Sequence, residues 1–326
     1  MKTFHLSIQT VIGSVLCLLL LIPLAVRAEY PDKPIRIVVP YPPGGGTDVV
    51  ARILAQRLGD KLGQSVIVEN RSGAGGTVGT TAVAKSAPDG YTLLLGQTGP
   101  NTIAPSLYSN LAYDAENDFA PITGVISMPL FLVVPGNSAF KSLGDLLAAG
   151  KQSKDFNYAS AGNGTLGHLS AELLNMLAGT KFVLIPYRGS APAIMALLAG
   201  EASMHFASGV DALPLMKQGR LRALAVASER RTQLAPDVPT AAEAGLGGLE
   251  ANLWYGLLAP AKTPRAIIDR LHREVAAILG EPATRARLLE LSAEAAPSTP
   301  EELAALIKAD AAKYAKVVKA AGVKVE

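Results

Sequence analysis

Short apolar runs rich in β-branched residues alternate with amphipathic stretches along most of the chain. The run Leu130–Val134 is apolar on both faces of an extended chain, whereas Thr47–Leu62 repeats its apolar residues at helical spacing. Strands that are apolar on both faces and separated by helices indicate parallel sheets covered on each side. The pattern therefore predicts the α/β class.

The alternation also predicts where the elements and lobes lie. The predicted strands are Ile35–Val39, Ser65–Glu69, Thr92–Gly96, Leu130–Val134, Asn157–Ser160, Val183–Tyr187, Met204–Ala207, Leu221–Ala227 and Tyr255–Ala259. The predicted helices are Thr47–Leu62, Leu166–Leu177, Ala191–Leu198, Pro264–Leu279 and Pro300–Ala321. Two lobes fit the length best, each a mainly parallel sheet flanked by helices. We expect residues 29–124 and about 228–326 in the first lobe and about 125–227 in the second.

The first 28 residues have the pattern of a secretory signal peptide. Lys2 supplies the positive start, Val11–Leu21 the apolar segment, and Val26-Arg27-Ala28 the small residues of a cleavage site. An uncleaved membrane anchor is the alternative, but the apolar stretch is short for a span and Pro23 interrupts it. We expect cleavage after Ala28 and a periplasmic mature protein.

Composition excludes several classes of function. The one cysteine, Cys17, lies in the apolar segment, so the mature chain has no disulfide, thiolate nucleophile or cysteine metal site. Loss of Lys2 and Arg27 lowers the formal net charge from +3 to +1, which argues against a nucleic-acid binder. No two histidines have metal-ligand spacing, and no Gly-x-Ser-x-Gly or His-Glu-x-x-His motif occurs. We expect no metal, no cofactor and no catalysis.

Three glycine-rich turns, each between a predicted strand and a helix, carry the candidate chemistry. The first is Tyr41-Pro42-Pro43-Gly44-Gly45-Gly46-Thr47-Asp48. Its free backbone N–H groups and the dipole of the next helix attract an anion, and Thr47 or Asp48 can cap that helix. We expect Gly45 and Gly46 to be needed for positive φ or for close approach of the ligand. The turn lacks the Gly-Lys-Ser/Thr ending of a P-loop, which argues against nucleotide triphosphates.

The second turn is Ser72-Gly73-Ala74-Gly75-Gly76-Thr77-Val78-Gly79. Its glycine spacing does not match the dinucleotide fingerprint, and it follows the second strand rather than the first. It either lines the cleft or packs a helix closely on a strand, and the sequence leaves both alternatives open.

The third turn is Ser160-Ala161-Gly162-Asn163-Gly164-Thr165. It offers hydroxyl groups beside free backbone amides, and together with the first turn it can clamp one carboxylate from two sides. His168 follows one helical turn later, and a capping or structural role is its default, with ligand contact as the alternative.

A polar pair follows the predicted strand Met204–Ala207. Ser208 and Asp211 stand at the carboxyl end of that strand, where side chains can contact the far end of a ligand. A helix N-cap at Asp211 is the alternative.

These motifs together resemble the Bug family, the TctC-like extracytoplasmic receptors of tripartite tricarboxylate transporters. The likeness covers nearly the whole mature chain. The segments that carry it are Pro34–Pro40, Pro43–Asp48, Val68–Gly76, Pro88–Leu93, Ser160–Thr165 with His168-Leu169, Tyr187-Arg188-Gly189, Leu221–Val226, Pro236–Thr240 and Gly256–Pro260.

The resemblance implies a two-lobed type II periplasmic-binding-protein fold that closes on a small carboxylate. It implies that the loops Tyr41–Asp48 and Ser160–Thr165 hold the carboxylate, often through water, and that Gln97-Thr98 and Ala207-Ser208 complete the pocket. Many relatives carry a polar or acidic residue where Ala207 stands, and this chain has Ser208 and Asp211 nearby instead. The family's common dicarboxylate and amino-acid specificities therefore do not transfer directly.

The function predicted in this way is a monomeric periplasmic receptor that delivers an organic carboxylate to the permease subunits of such a transporter. A ligand sensor for a membrane signalling system is the alternative, and a hydrolytic enzyme on an α/β scaffold is a more distant one.

Overall fold

A computed structural model describes residues 30–153, 155–187 and 189–323. The predicted signal peptide and its cleavage site, together with Arg188 of the Tyr187-Arg188-Gly189 motif, lie outside the described residues. The chain from Lys33 onward forms one compact unit that contains two sheets. Among the described residues, no helix combines the length and the apolar character needed to cross a bilayer.

The first lobe is built on a six-stranded sheet. Its strands are β1 (Ile35–Val39), β2 (Val66–Asn70), β3 (Thr92–Gln97), β4 (Phe119–Pro129), β10 (Asn252–Pro260) and β11 (Glu294–Ala295). Its helices are α1 (Gly46–Leu62), α2 (Thr77–Ala84), α3 (Ala104–Leu107), α8 (Arg265–Gly280), α9 (Pro282–Glu290) and α10 (Pro300–Ala321). The strand order is β11-β4-β10-β3-β1-β2.

The second lobe is built on a five-stranded sheet of order β7-β6-β8-β5-β9. Its strands are β5 (Phe131–Pro135), β6 (Asn157–Ser160), β7 (Val183–Pro186), β8 (Met204–Ala207) and β9 (Leu221–Val226). Its helices are α4 (Leu143–Gln152), α5 (Leu166–Ala178), α6 (Ser190–Ala199) and α7 (Gly209–Lys217). The α/β class with two sheets is confirmed, and the numerical lobe boundaries near 125 and 228 stay a prediction.

Most strands of each sheet point the same way, as predicted, but both sheets also contain antiparallel pairs. Strand β1 pairs in parallel with β2 and β3, and β6 pairs in parallel with β7 and β8. Strand β10 runs antiparallel to β3 and β4, while β5 runs antiparallel to β8 and β9. The strands that run against the others are β5 and β10, through which the chain enters or re-enters a lobe, and the two-residue strand β11, which pairs antiparallel with β4.

The longest strand, β4, was not predicted. Its sequence contains Pro121, Pro129 and Gly124, which are residues typical of loops rather than of strands. Gly124 is needed there because a Cβ would lie 2.4 Å from the carbonyl oxygen of Ala296. Tertiary pairing with β10 along its length outweighs the weak local preference for a strand.

The C-terminal helix α10 packs against both lobes. Leu303 and Ile307 join the first-lobe core beside Trp254, whereas Tyr314 and Val317 join a core cluster made largely of second-lobe residues. The Trp254 indole nitrogen donates to Asp310 Oδ2 over 3.0 Å, and Lys313 Nζ lies 2.7 Å from the other carboxylate oxygen. The buried Asp310 carboxylate is thereby paired and hydrogen-bonded, which offsets the free-energy cost of burying it.

The three glycine-rich turns lie where the two sheets face each other. The first two follow the carboxyl ends of β1 and β2, and the third follows the carboxyl end of β6. Parallel neighbours end at the same edge of a sheet, so each lobe presents its turns along one edge.

Close packing of the second turn gives a first testable prediction. A Cβ at Gly79 would lie 2.6 Å from the Arg71 carbonyl oxygen and 2.8 Å from Pro40 Cα, and backbone atoms cannot move aside cheaply. We expect Gly79→Ala to lower the free energy of unfolding by about 1–3 kcal/mol, measured by urea denaturation.

Gly280 supplies the matched control, since it also lies in a helix but has open space around its Cβ position. Gly280→Ala should leave the free energy of unfolding at or slightly above the wild-type value. Equal stability of the two alanine variants would contradict the tight contact at Gly79.

Candidate functional site

The first turn leads into a helix N-terminus that no side chain caps. Gly45 is the N-cap of α1, and because glycine has no side chain to accept their hydrogen bonds, the first N–H groups of the helix remain available. Gly44 has a φ of +83°, whereas Gly45 has an ordinary φ of −77° and Gly46 begins the helix. Of the two reasons expected for Gly45 and Gly46, positive φ is wrong, since Gly44 has it instead, and close approach of the ligand stays a prediction.

The Asp48 side chain stabilises the first turn by a hydrogen bond to its backbone. Its Oδ2 accepts hydrogen bonds from the Gly44 N–H and from Arg52 Nε, both over 2.9 Å, and its side chain is buried. The Arg52 hydrogen bond is the main reason that the pKa of Asp48 lies below its ordinary value. The carboxylate thus positions the glycine turn and does not cap the helix N-terminus, contrary to one of the predicted roles.

Buried polar side chains at the end of β3 make hydrogen bonds next to this turn. Gln97 Nε2 donates to Thr47 Oγ1 over 2.9 Å, which joins the end of β3 to the start of α1. Thr98 Oγ1 lies 3.1 Å from the Asn252 carbonyl oxygen and 3.0 Å from the Trp254 nitrogen, so it links β3 to β10. Both predicted residues are buried, Gln97 at the end of β3 and Thr98 directly after it.

Hydroxyl groups of the third turn bond within the turn. Thr165 Oγ1 donates to the Gly162 carbonyl over 2.8 Å and lies 3.0 Å from Ser160 Oγ. Thr165 is also the N-cap of α5. The hydroxyls that were predicted to face a ligand therefore fix the turn, and the backbone amides become its candidate ligand-binding groups.

His168 holds the third turn as Asp48 holds the first. Its Nδ1 accepts a hydrogen bond from the Gly164 N–H over 3.0 Å. Burial lowers the pKa of the imidazole, more than the Glu172 carboxylate raises it, so the ring is neutral at neutral pH. His168 does not line the described pocket between the turns. This place agrees with the structural role that was its default, and ligand contact stays a prediction.

A pocket of about 310 Å³ lies between Tyr41 of the first turn and the third turn, and its described lining does not include the predicted residues Pro43–Asp48. Tyr41, Gln97 and Gly99 line it from the first lobe, and Asn163 and Thr165 line it from the second. Further lining residues are Gly75, Ile103, Ala104, Leu107, Tyr108, Gly164, Leu166 and Leu253. Burial raises the pKa of Tyr41 above its ordinary value, so its phenol remains a neutral hydrogen-bond donor.

Both alternatives for the second turn hold. Gly75 lines the pocket and accepts a hydrogen bond from the Tyr41 phenol over 3.2 Å, while Gly79 packs against β1. The sequence analysis did not predict Tyr108 and Leu253 as lining residues. Tyr108 follows α3 and Leu253 lies near the start of β10, and neither is part of a polar or glycine-rich motif. Tyr255 is buried, and its hydroxyl oxygen would lie 3.7 Å from a Cβ at Gly46.

The end of β8 carries a second group of polar residues. Ala207 is fully buried, and Ser208 is the N-cap of α7. Asp211 is the third residue of that helix, so the alternative of an N-cap at Asp211 is wrong. Its Oδ2 accepts hydrogen bonds from Ser208 Oγ over 2.8 Å and from Ser190 Oγ over 2.7 Å.

Two α/β lobes whose glycine-rich turns face one shared pocket define a class, the periplasmic solute-binding proteins. Comparison with known proteins places the chain within it. The model of the tripartite tricarboxylate transporter family receptor, TctC, matches residues 50–323. The chain belongs to this family, as its motifs predicted, and it is a periplasmic solute-binding receptor rather than an enzyme.

Individual relatives agree with this assignment. Protein BugT of Bordetella pertussis is 38% identical over 91% of this chain and 92% of its own length. The periplasmic binding protein BugD is 37% identical with a TM-score of 0.72, covering 91% of this chain and 100% of BugD. MatC from Rhodopseudomonas palustris, solved with bound malate, is 35% identical with a TM-score of 0.72, covering 89% of this chain and 100% of MatC.

The lowered pKa of His168 gives a prediction about pH. In the unfolded chain the His168 imidazole takes up a proton near pH 6.5, whereas in the folded protein it stays neutral to lower pH. Its contribution to the free energy of unfolding is therefore complete above about pH 6.5 and is lost as the pH falls below it. His168→Gln keeps an acceptor for the Gly164 N–H but does not titrate. We expect a smaller fall in melting temperature between about pH 7 and pH 5 in this variant than in the wild type.

Burial lowers the pKa of His205 in the same direction, so part of the pH dependence should remain in the variant. A wild-type slope in His168→Gln would contradict a neutral imidazole behind the third turn.

Proposed function

We propose that the protein binds a small organic carboxylate between its first and third glycine-rich turns. The observation that carries this proposal is the shared pocket, lined from one lobe by Tyr41 and Gln97 and from the other by Asn163 and Thr165. A ligand that contacts both turns would draw the two lobes together, as in the closure of other binding proteins around their ligands.

The chemistry of the turns favours an anion. The uncapped N-terminus of α1 and the turn before α5 direct backbone N–H groups and the positive ends of helix dipoles towards ligands placed there. Asp48 and His168 bond to Gly44 and Gly164 and so hold the turns in shape. The malate bound in MatC shows that a relative with the same fold accepts a carboxylate.

The proposal also covers the delivery of the ligand to a transporter and the export of the protein to the periplasm. We propose that the ligand-bound receptor docks on the membrane permease subunits of a tripartite tricarboxylate transporter and acts as a monomer. The family assignment supports such a partner. The sequence pattern at Val26-Arg27-Ala28 supports export with cleavage after Ala28, which intact-mass measurement of periplasmic protein would test.

A thermal-shift screen of mono-, di- and tricarboxylates tests ligand binding. A ligand that binds the native state raises the melting temperature by mass action. In Gly46→Val the added side chain would stand at the open start of α1, in an ordinary backbone conformation and with room for its Cβ. We expect this variant to fold like the wild type and to lose the carboxylate-induced shift.

Gly247→Val is the matched control, since Gly247 has open space and lies outside the turns. It should retain the full shift. Unchanged affinity in Gly46→Val would remove the first turn from the site, and conversion of any bound acid to a product would overturn the receptor function itself.

A further inference from the structure

A short helical segment lies along the pocket between the lobes. It begins with one π-helical turn, Gly99–Ile103, and continues directly as α3. Single π-helical turns are frequent at functional sites. The residues of this segment that line the pocket follow one another at helical spacing, so they share one side of the segment. They are Gly99, Ile103, Ala104 and Leu107, with Tyr108 directly after them.

Polar residues of the same segment bond to the end of β3 instead. Asn101 Oδ1 accepts from the Gln97 N–H over 3.0 Å, and Thr102 Oγ1 donates to the Thr98 carbonyl over 2.6 Å. Both side chains are fully buried. The polar groups therefore fix the segment to the first lobe, and its apolar side faces the pocket.

Apolar side chains from two other elements line the pocket as well. Leu166 is the first residue of α5, directly after the third turn. Leu253 lies near the start of β10, and because β10 runs antiparallel to β3, its start lies at the carboxyl end of β3. Both line the pocket together with Ile103 and Leu107. We call these four side chains the apolar wall.

Packing holds the apolar wall in place. Ile103 is 3% exposed and belongs to the core cluster made largely of second-lobe residues, and Leu107 and Leu166 pack against that cluster. The helical segment also packs against α10. Side chains from both lobes thus form one apolar surface, and a ligand that lies on it would contact both lobes.

Polar groups line the part of the pocket nearest the turns. The Gln97 amide donates one N–H to Thr47, and it carries a second N–H. Asn163 lines the same pocket from the third turn. The helical segment begins at Gly99, just after β3, and Leu107 lies roughly 10 Å further along it. A ligand whose carboxylate is bound at the turns would therefore extend its body along the apolar wall.

We propose that the preferred ligand is a carboxylate with an apolar hydrocarbon body rather than a hydroxylated one. This proposal rests on the proposed carboxylate-binding function and names its ligand class. Hydrocarbon placed on the apolar wall is removed from water, which favours binding in proportion to the area buried. Hydroxyl groups in the same place lose their hydrogen bonds to water and meet carbon atoms instead, which weakens binding.

Pairs of acids with the same carbon skeleton and one carboxylate each test the proposal by calorimetry. The pairs are hexanoate with gluconate and cyclohexanecarboxylate with quinate. We expect the wild type to bind each apolar acid at least about tenfold more tightly than its hydroxylated counterpart. From butyrate to hexanoate, each added methylene should raise the affinity by about two- to fourfold.

Leu253→Thr replaces part of the apolar wall by a residue that is also common in strands. We expect it to lower the ratio of hexanoate to butyrate affinity by about threefold. Val183→Thr is the matched control. Val183 is also an apolar strand residue and is 54% exposed, but it begins β7, opposite the first residue of β6, whereas the third turn follows the last. This variant should keep the wild-type ratio.

The outcomes separate the ligand class from carboxylate binding itself. Equal or tighter binding of the hydroxylated acids overturns the proposal and leaves carboxylate binding intact. An unchanged ratio in a folded Leu253→Thr variant also overturns it, and the wild-type series decides alone if that variant does not fold. Failure of these acids and of every acid in the thermal-shift screen overturns the proposed function and this proposal with it.

Discussion

A side chain from the third residue of a helix holds the glycine turn before it, and the candidate site depends on that contact in both lobes. Asp48 accepts from the Gly44 N–H, and His168 accepts from the Gly164 N–H, each four residues earlier. Both glycines have positive φ, a conformation that the bound side chain stabilises. These contacts use the N–H groups of Gly44 and Gly164, and they leave the N-terminus of α1 without a side-chain cap.

The side chains that occupy this third helix position differ in charge and in their partners. The charge of Asp48 is paired with Arg52, and His168 is neutral because it is buried. Asp211 is also the third residue of its helix, α7, but it accepts from the hydroxyls of Ser208 and Ser190 instead of from a glycine N–H. The same backbone contact is thus made by a paired carboxylate in the first lobe and by a neutral imidazole in the second.

Much of this could be predicted from local sequence. Strands such as Ile35–Val39 and Asn157–Ser160 coincide with their predicted bounds, since apolar runs between glycine turns allow few other structures. Strand β4 could not be found in this way, because its prolines and glycine indicate a loop until β10 pairs with it. The antiparallel direction of β10 likewise depends on the path of the chain between lobes.

The sequence by itself determined the α/β class, the family and the three turns, since these follow from periodicity and from residue types that tolerate special backbone conformations. Tertiary structure decided which atoms of those turns face a ligand. It directed the hydroxyls of Ser160 and Thr165 inward, assigned the positive φ to Gly44, and joined Ser190 to Asp211 across two helices. Such choices depend on distances between groups far apart in sequence, which local patterns do not contain.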